Sequence, residues 1–310
     1  MFCKGQLVQL QNDLSVLSGA GLGLAAISYD SAGVLRDFAQ RRSITFPLLS
    51  DHESEAIRAY GVADRKYRQG MGLDVDTERL YDDSFGRVPV FGLSYAAVFV
   101  LTRDHRVKWR FVSENFELRL TGAAILEEAV GANVDQVRTP IDSRNIHITA
   151  TATNAAVGVG DRIRIGLEFK IPKGFHIYSP EVEKGYIGVS WQMDDSQCVE
   201  AEEPVYPKPV WKHMNAADET LPVYEDTVRI SRAISVRPGV RESDPSMYQL
   251  FCHLCVDPEL RIHASGVAKF QACNEHECYP PQAVAVEWTF RFLQPDTQRS
   301  PYDLWREFEK

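Results

Sequence analysis

Near Gly131 the chain changes its hydrophobic period, and a single layer arrangement cannot serve both sides of that change. From residue 4 to about 130, helical and strand spacings alternate. Leu7, Leu10, Leu14 and Leu17 fall on one helical stripe. "GLGLAAIS" then reads as a buried strand, and Asp30 or Ser31 can cap a helix carrying Val34, Leu35 and Phe38. "FPLLSD" reads as a short strand leading into "ESEAIRAYGV", a helix stopped at Gly61. An irregular stretch from Ala63 to Val88 follows. "AAVFVLTRDHRVKWRFV" then predicts a hairpin turning at Asp104-His105, and "ELRLTGAAILEEAVG" predicts a closing helix. Such alternation implies an α/β layer fold with a largely buried sheet.

Beyond Gly131, "GANVDQVRTPIDSRN" has little periodicity and contains Pro140, which marks a linker. From about Asn145 the chain is strands and turns: "IHITATAT", "RIRIGLEFKI", "GFHIYS", "YIGVSWQM", "TVRISRAISV", "RIHASGVAKFQA" and "AVAVEWTFRFL". Period-two patterning without a long helical stripe predicts an antiparallel β-sandwich. The expected organisation is an α/β unit over 1–135, a linker over 136–144, a sandwich over 145–295 and a tail over 296–310 with one short helix. Two domains also suit 310 residues at roughly 150 per domain. The proline-broken segment "EEPVYPKPVWKHMNAADETLPVYED" is expected to be a long loop with a functional role.

Composition excludes several classes. A formal net charge of −9 and no Lys/Arg run with interleaved aromatics argue against nucleic-acid binding. No stretch approaches the roughly 18 uninterrupted apolar residues of a membrane span. No signal peptide is visible, but a cysteine at position 3, just before an amphipathic helix, suggests that the sequence starts inside a domain. No serine sits in a G-x-S-x-G setting, so a Ser-His-Asp hydrolase has no support.

The chemistry therefore rests on cysteine. In "FQACNEHECYPPQ", residues 274–277 can form a four-residue hairpin loop that sets Cys273 and Cys278 opposite each other. As a staple, so small a loop is worth about 2 kcal/mol, against about 5 kcal/mol for a loop of 100 residues. Glu275 and Glu277 disfavour a nearby thiolate while a protonated His276 favours it, so no strongly activated thiol is expected. That balance suits reversible exchange with a docked partner better than attack on peroxide.

Other readings stay open. Cys252-His-Leu-Cys255 with Cys273 and Cys278 could make a zinc site, although the second pair has four intervening residues where zinc ribbons usually have two. Cys252 and Cys255 could instead be a second redox pair feeding the first, which requires a turn rather than a strand, or two plain thiols. Cys198 reads as a lone thiol. His176 and Tyr178 in "GFHIYS" could shield the cysteine pair or simply alternate between core and surface.

"FQACNEHECYPPQ" at the end of a strand-rich region, together with "LPVYEDTVRISRAISV", resembles the N-terminal domain of the thiol:disulfide interchange protein DsbD over about residues 145–290. The resemblance implies an immunoglobulin-like scaffold, Cys273 and Cys278 as the exchanging pair, thiol/disulfide partner proteins and a periplasmic or extracytoplasmic location. It also implies a capping loop before Tyr224, for which Trp211 and Met214 are the candidates. No cofactor is implied.

"FCKGQLVQLQNDL", "GLGLAAISYDS", "FAQRRSITFPLLSD" and "AIRAYGV" are similar to the AhpC/TSA branch of thioredoxin folds, over Phe2 to Val62 and more loosely over Ala96 to Val130. In that family a cysteine opens the first long helix, where the dipole and free N–H groups favour its thiolate. Cys3 occupies that place and looks like the second cysteine of a C-x-x-C whose first lies before Met1. The implied unit is a truncated thioredoxin-like domain from which peroxidase activity is not expected. The expectation for the whole chain is a thiol:disulfide oxidoreductase or electron relay with Cys273, Cys278 and Cys3 as its reactive residues. The alternative is a non-catalytic interaction module with a structural disulfide or zinc site.

Overall fold

The computed structural model describes residues 2–51, 53–63, 80–83, 86–89, 94–115, 118–132, 134–183, 185–214, 218–236 and 252–294. The expected tail helix and most of the irregular stretch after Ala63 lie outside the described residues.

The leucine stripe becomes two helices, α1 (Phe2–Asn12) and α2 (Leu14–Gly19), broken only at Asp13. Asp13 N donates to Gln9 O and Leu17 N to Asp13 O, so the stripe keeps its phase. Leu10 and Leu17 are buried against Phe38, Phe46, Leu120 and Leu126. Ser31 caps α3 (Ala32–Arg42), its hydroxyl accepting from Val34 N. α4 (Glu55–Ala59) stops before Gly61, which sits at φ 70°. α5 (Gly122–Ile125) starts at its Thr121 cap, runs on as a π-helical turn over Leu126–Val130 and ends at Gly131, φ 74°.

The expected hairpin is present, with Ala96–Leu101 antiparallel to Val107–Ser113. The largely buried sheet is not seen among the described residues. The described strands of this half form separate pairs, one of them Ala26–Ser28 parallel to Leu48–Ser50. Ile27 and Leu49, directly opposite each other, are both exposed. Among the described residues no third strand extends that pair.

The second half is built from facing sheets. One runs in the order Val199–Ala201, Thr227–Val236, Asp161–Lys170, His147–Ala152, Val137–Ile141, and the other in the order Ala156–Val157, Gln282–Phe292, Arg261–Phe270, Ser190–Met193. Ile163, Ile165, Leu167 and Phe169, alternate residues of one strand, are fully buried with Trp288 and Phe290 of the facing sheet. Burying each such side chain contributes about 1.5–3 kcal/mol, which fixes the register of the long strands. Trp288 Nε1 donates to Thr151 O at 2.8 Å and so ties the sheets together at their centre. The 136–144 stretch expected as a linker carries Val137–Ile141, paired with His147–Ala152 as a sheet edge.

The halves are also stitched to each other. Arg119–Leu120, expected within the closing helix, pairs in parallel with Asp161–Arg162. Thr121 Oγ donates to Asn154 Oδ1 across the junction at 2.8 Å, while within the first half Asp13 Oδ2 accepts from Gly122 N at 2.9 Å. A Cβ on Gly122 would lie 2.6 Å from Asp13 Cβ, so glycine is required there by close approach.

Candidate thiol–disulfide site

A third sheet carries the site. It runs Val210–Met214, Glu219–Tyr224, His176–Tyr178, Ala272–Cys273. The proline-broken segment expected to be a loop thus supplies two paired strands of this sheet, Val210–Met214 and Glu219–Tyr224. Pro204, Pro207 and Pro209 precede Val210, whereas Pro222 lies within the inner strand opposite Trp211; the tip at 215–217 lies outside the described residues.

Cys273 and Cys278 are disulfide-bonded with Cα atoms 4.1 Å apart, and they face each other as an antiparallel bridge. Asn274 organises the turn between them. Its side-chain oxygen accepts from His276 N at 2.8 Å and Glu277 N at 2.9 Å, and its own N–H donates to Glu277 O. Tyr279 N donates to Ala272 O, and Tyr279 stacks on Phe175 at 5.7 Å, which holds the start of the Tyr-Pro-Pro run against the strand.

The two sulfurs are not equivalent. Cys273 is 0% exposed, packed with Tyr178, Leu221 and Val223, whereas Cys278 is exposed. Cys278 is therefore the more accessible residue of the pair. Tyr178 lies within 3.6 Å of Cys278 Sγ through its hydroxyl. Burial, reinforced by Glu219, pushes the Tyr178 hydroxyl above its ordinary pKa, which keeps the proton available for donation to a thiolate on Cys278. Tyr186 packs on Tyr178 at 5.0 Å and donates to Glu219 Oε2.

His176 stands in register with Cys273 across the ladder, and its ring meets Tyr178 edge-on at 5.3 Å. It is 1% exposed, and among the described residues neither ring nitrogen has a hydrogen-bond partner. Burial, and then Lys212, holds its pKa below the ordinary value, so the ring is neutral. Of the two cap candidates, Met214 packs against the cluster around Cys273, while Trp211 is 63% exposed.

The remaining cysteines depart from expectation. Cys198 is not a lone thiol but bonds Cys255, with Cα atoms 5.4 Å apart and a sequence separation of 57. With three of the four proposed thiolates held in two disulfides, the Cys252–Cys255–Cys273–Cys278 set is not assembled as a zinc cluster. Cys255 and Cys273 flank opposite ends of the Arg261–Phe270 strand, about 30 Å apart at strand rise, so direct exchange between the pairs is not available either. Cys3, exposed in the first turn of α1, accepts from Arg119 Nη2 at 3.0 Å. That places it at the Asp161 end of the sandwich, whereas the Cys273–Cys278 pair lies past the Lys170 end. The sulfurs of the three expected reactive residues are therefore not gathered in one site.

Residues 1–110 match the AhpC/TSA family, and residues 147–289 match the family described as thiol:disulfide interchange protein DsbD, N-terminal. Two Mycobacterium tuberculosis proteins bearing the name peroxiredoxin, from two strains, are each 34% identical over 68 residues, which is 22% of this chain and 43% of theirs. The chain thus spans less than half the length of these curated relatives. Among solved structures, the N-terminal periplasmic domain of ScsB from Proteus mirabilis is similar over 50% of this chain and 51% of that one, at 14% identity and a TM-score of 0.31.

Proposed function

We propose that this protein, which joins an AhpC/TSA-family segment to a DsbD N-terminal-family segment, exchanges the Cys273–Cys278 dithiol/disulfide with partner proteins. The units are taken as a thioredoxin-like domain over 1–135 and an immunoglobulin-like sandwich over 145–295, working in an extracytoplasmic compartment. The observation that carries the reading is the asymmetry of the disulfide: an exposed Cys278 beside the Tyr178 hydroxyl, bonded to a buried Cys273.

In the reducing direction, the Cys278 thiolate attacks a partner disulfide, forming a mixed disulfide and releasing one partner thiolate. Cys273, losing its proton, then attacks Cys278 Sγ and expels the second partner thiolate. The partner gains two electrons and two protons, and the pair ends oxidised. A partner dithiol drives the same steps backwards. Tyr178 stabilises the Cys278 thiolate, and the apolar packing around Cys273 favours the closed disulfide over a buried thiolate. Cys3 is assigned a separate thiol role at the far end, without contact with this pair.

The test is the reduction potential of Cys273–Cys278, measured by equilibration with glutathione and dithiothreitol in the full chain. A value in the exchange range of roughly −120 to −270 mV supports the relay, and a value below about −300 mV reduces the pair to a structural staple in an interaction module. Cys273→Ser is expected to abolish exchange while the circular dichroism of the sandwich is retained.

A further inference from the structure

A second group of cysteines lies away from that pair and has no part in it. Residues 252–255 form a helical turn, closed by donation from Val256 N to Cys252 O at 3.2 Å. On such a turn, residues three apart share a face, and helix geometry puts their Cα atoms about 5 Å apart. That separation lies inside the roughly 4.4–6.8 Å window for a disulfide. Cys252 is a free thiol and Cys255 is already bonded to Cys198, with a Cα separation of 5.4 Å. All three pack, partly buried, against the same sandwich core. Cys255 therefore stands within bonding reach of two cysteines, only one of which it can hold.

We propose that Cys198, Cys252 and Cys255 form a second thiol–disulfide exchange centre, in which the bridge moves between Cys198–Cys255 and Cys252–Cys255. The Cys252 thiol loses its proton and the thiolate attacks Cys255 Sγ. The Cys252–Cys255 bond forms, the Cys198–Cys255 bond breaks, and Cys198 leaves as a thiolate that regains the proton. No electron enters or leaves, so no outside oxidant or reductant is needed. The move replaces a bridge spanning 57 residues with one inside a single helical turn, and so releases the tie between 252–255 and the edge strand Val199–Ala201. It also turns a hidden sulfur into a free Cys198 thiol able to take a protein thiol or disulfide as its partner. This centre is independent of the reading of Cys273–Cys278, which lies at the other end of the Arg261–Phe270 strand.

The test uses the full chain with Cys3→Ser, so that Cys252 is the one free thiol expected without exchange. Protein is incubated at about pH 8.5, where an ordinary thiol is half ionised, then quenched with acid, unfolded and capped with a maleimide. Peptide mass spectrometry is expected to find caps on both Cys252 and Cys198, with both bridges in the same sample. Adding Cys252→Ser, which touches no bridge in the starting fold, is expected to lower the cap on Cys198 by about tenfold or more. Adding Cys198→Ser instead is expected to give a Cys252–Cys255 bridge under oxidised glutathione. Caps confined to Cys252 overturn the proposal. So do caps shared by Cys198 and Cys255 that persist in Cys252→Ser, which mark simple reduction, and so does a Cys198→Ser protein that keeps two free thiols.

Discussion

Asp161→Asn tests the junction between the two halves of the chain. Asp161 is 6% exposed, and its Oδ2 accepts from Gly158 N at 2.7 Å. Burial pushes its carboxyl up to about 7 from an ordinary 3.8, with the neighbouring Asp13 adding to the rise and the Gly158 N–H and Arg119 opposing it. In the unfolded chain the group ionises near 3.8, so between that value and 7 the folded state holds a proton that the unfolded state has lost. Stability from this group is therefore complete at acid pH and declines as pH rises through that window. Each unit is worth 1.36 kcal/mol, so a shift of about 3 units costs about 4 kcal/mol by neutral pH. Asparagine keeps an oxygen for the Gly158 N–H and carries no charge. Urea unfolding at a series of pH values is the assay, with the slope m checked for constancy. Relative to wild type, the variant is expected to gain about 3 kcal/mol between pH 4.5 and 7.5 and nothing further above that. A wild-type-to-variant difference that does not change with pH would refute the reasoning, because a carboxylate already ionised throughout the window gives that result.

Tyr178→Phe removes the hydroxyl beside Cys278 without changing the packing, and is expected to slow exchange about tenfold, the equivalent of one hydrogen bond to a charged group, with little change in thermal midpoint. Stopped-flow reaction with a small disulfide reads this, and an unchanged rate removes Tyr178 from the mechanism. His176, held neutral by burial among Cys273, Tyr178 and the Lys212–Glu225 ion pair, binds its proton more weakly folded than unfolded. Its contribution is intact above the ordinary value of about 6.5 and is lost as pH falls below it, so His176→Phe is expected to flatten the acid side of the stability curve. Gly122→Ala forces a Cβ into Asp13 and is expected to cost about 1–3 kcal/mol by denaturant unfolding, a loss that an open glycine such as Gly5 does not share.

Much of this architecture is local and was therefore legible in the chain. The helical period of Leu7, Leu10, Leu14 and Leu17 survives the break at Asp13, because the backbone hydrogen bonds run through it. The alternation in "RIRIGLEFKI" and "AVAVEWTFRF" marks the two strands that face each other, because one side of each must leave water. The Cys273–Cys278 hairpin was equally readable, since a four-residue turn needs only its own residues to close. Of the site, Tyr178 was visible as one of two aromatic alternates in "GFHIYS", but nothing local says which of His176 and Tyr178 meets the exposed sulfur.

The long-range pairings were decided elsewhere. Cys198 and Cys255 are brought together because Val199–Ala201 lies beside the end of Thr227–Val236 and a helical turn precedes Arg261. No property of either cysteine's neighbours encodes that meeting. The segment around Pro204, Pro207 and Pro209 read as loop because proline weakens strand propensity, yet the ladder with Glu219–Tyr224 outweighs it from Val210 onward. Likewise Pro140 suggested a linker, while pairing with His147–Ala152 makes it a sheet edge, where proline's missing N–H is tolerated. Period and turn chemistry act within a few residues and can be read directly, whereas which strands become neighbours depends on how the whole apolar surface is buried at once, and only the folded chain solves that problem.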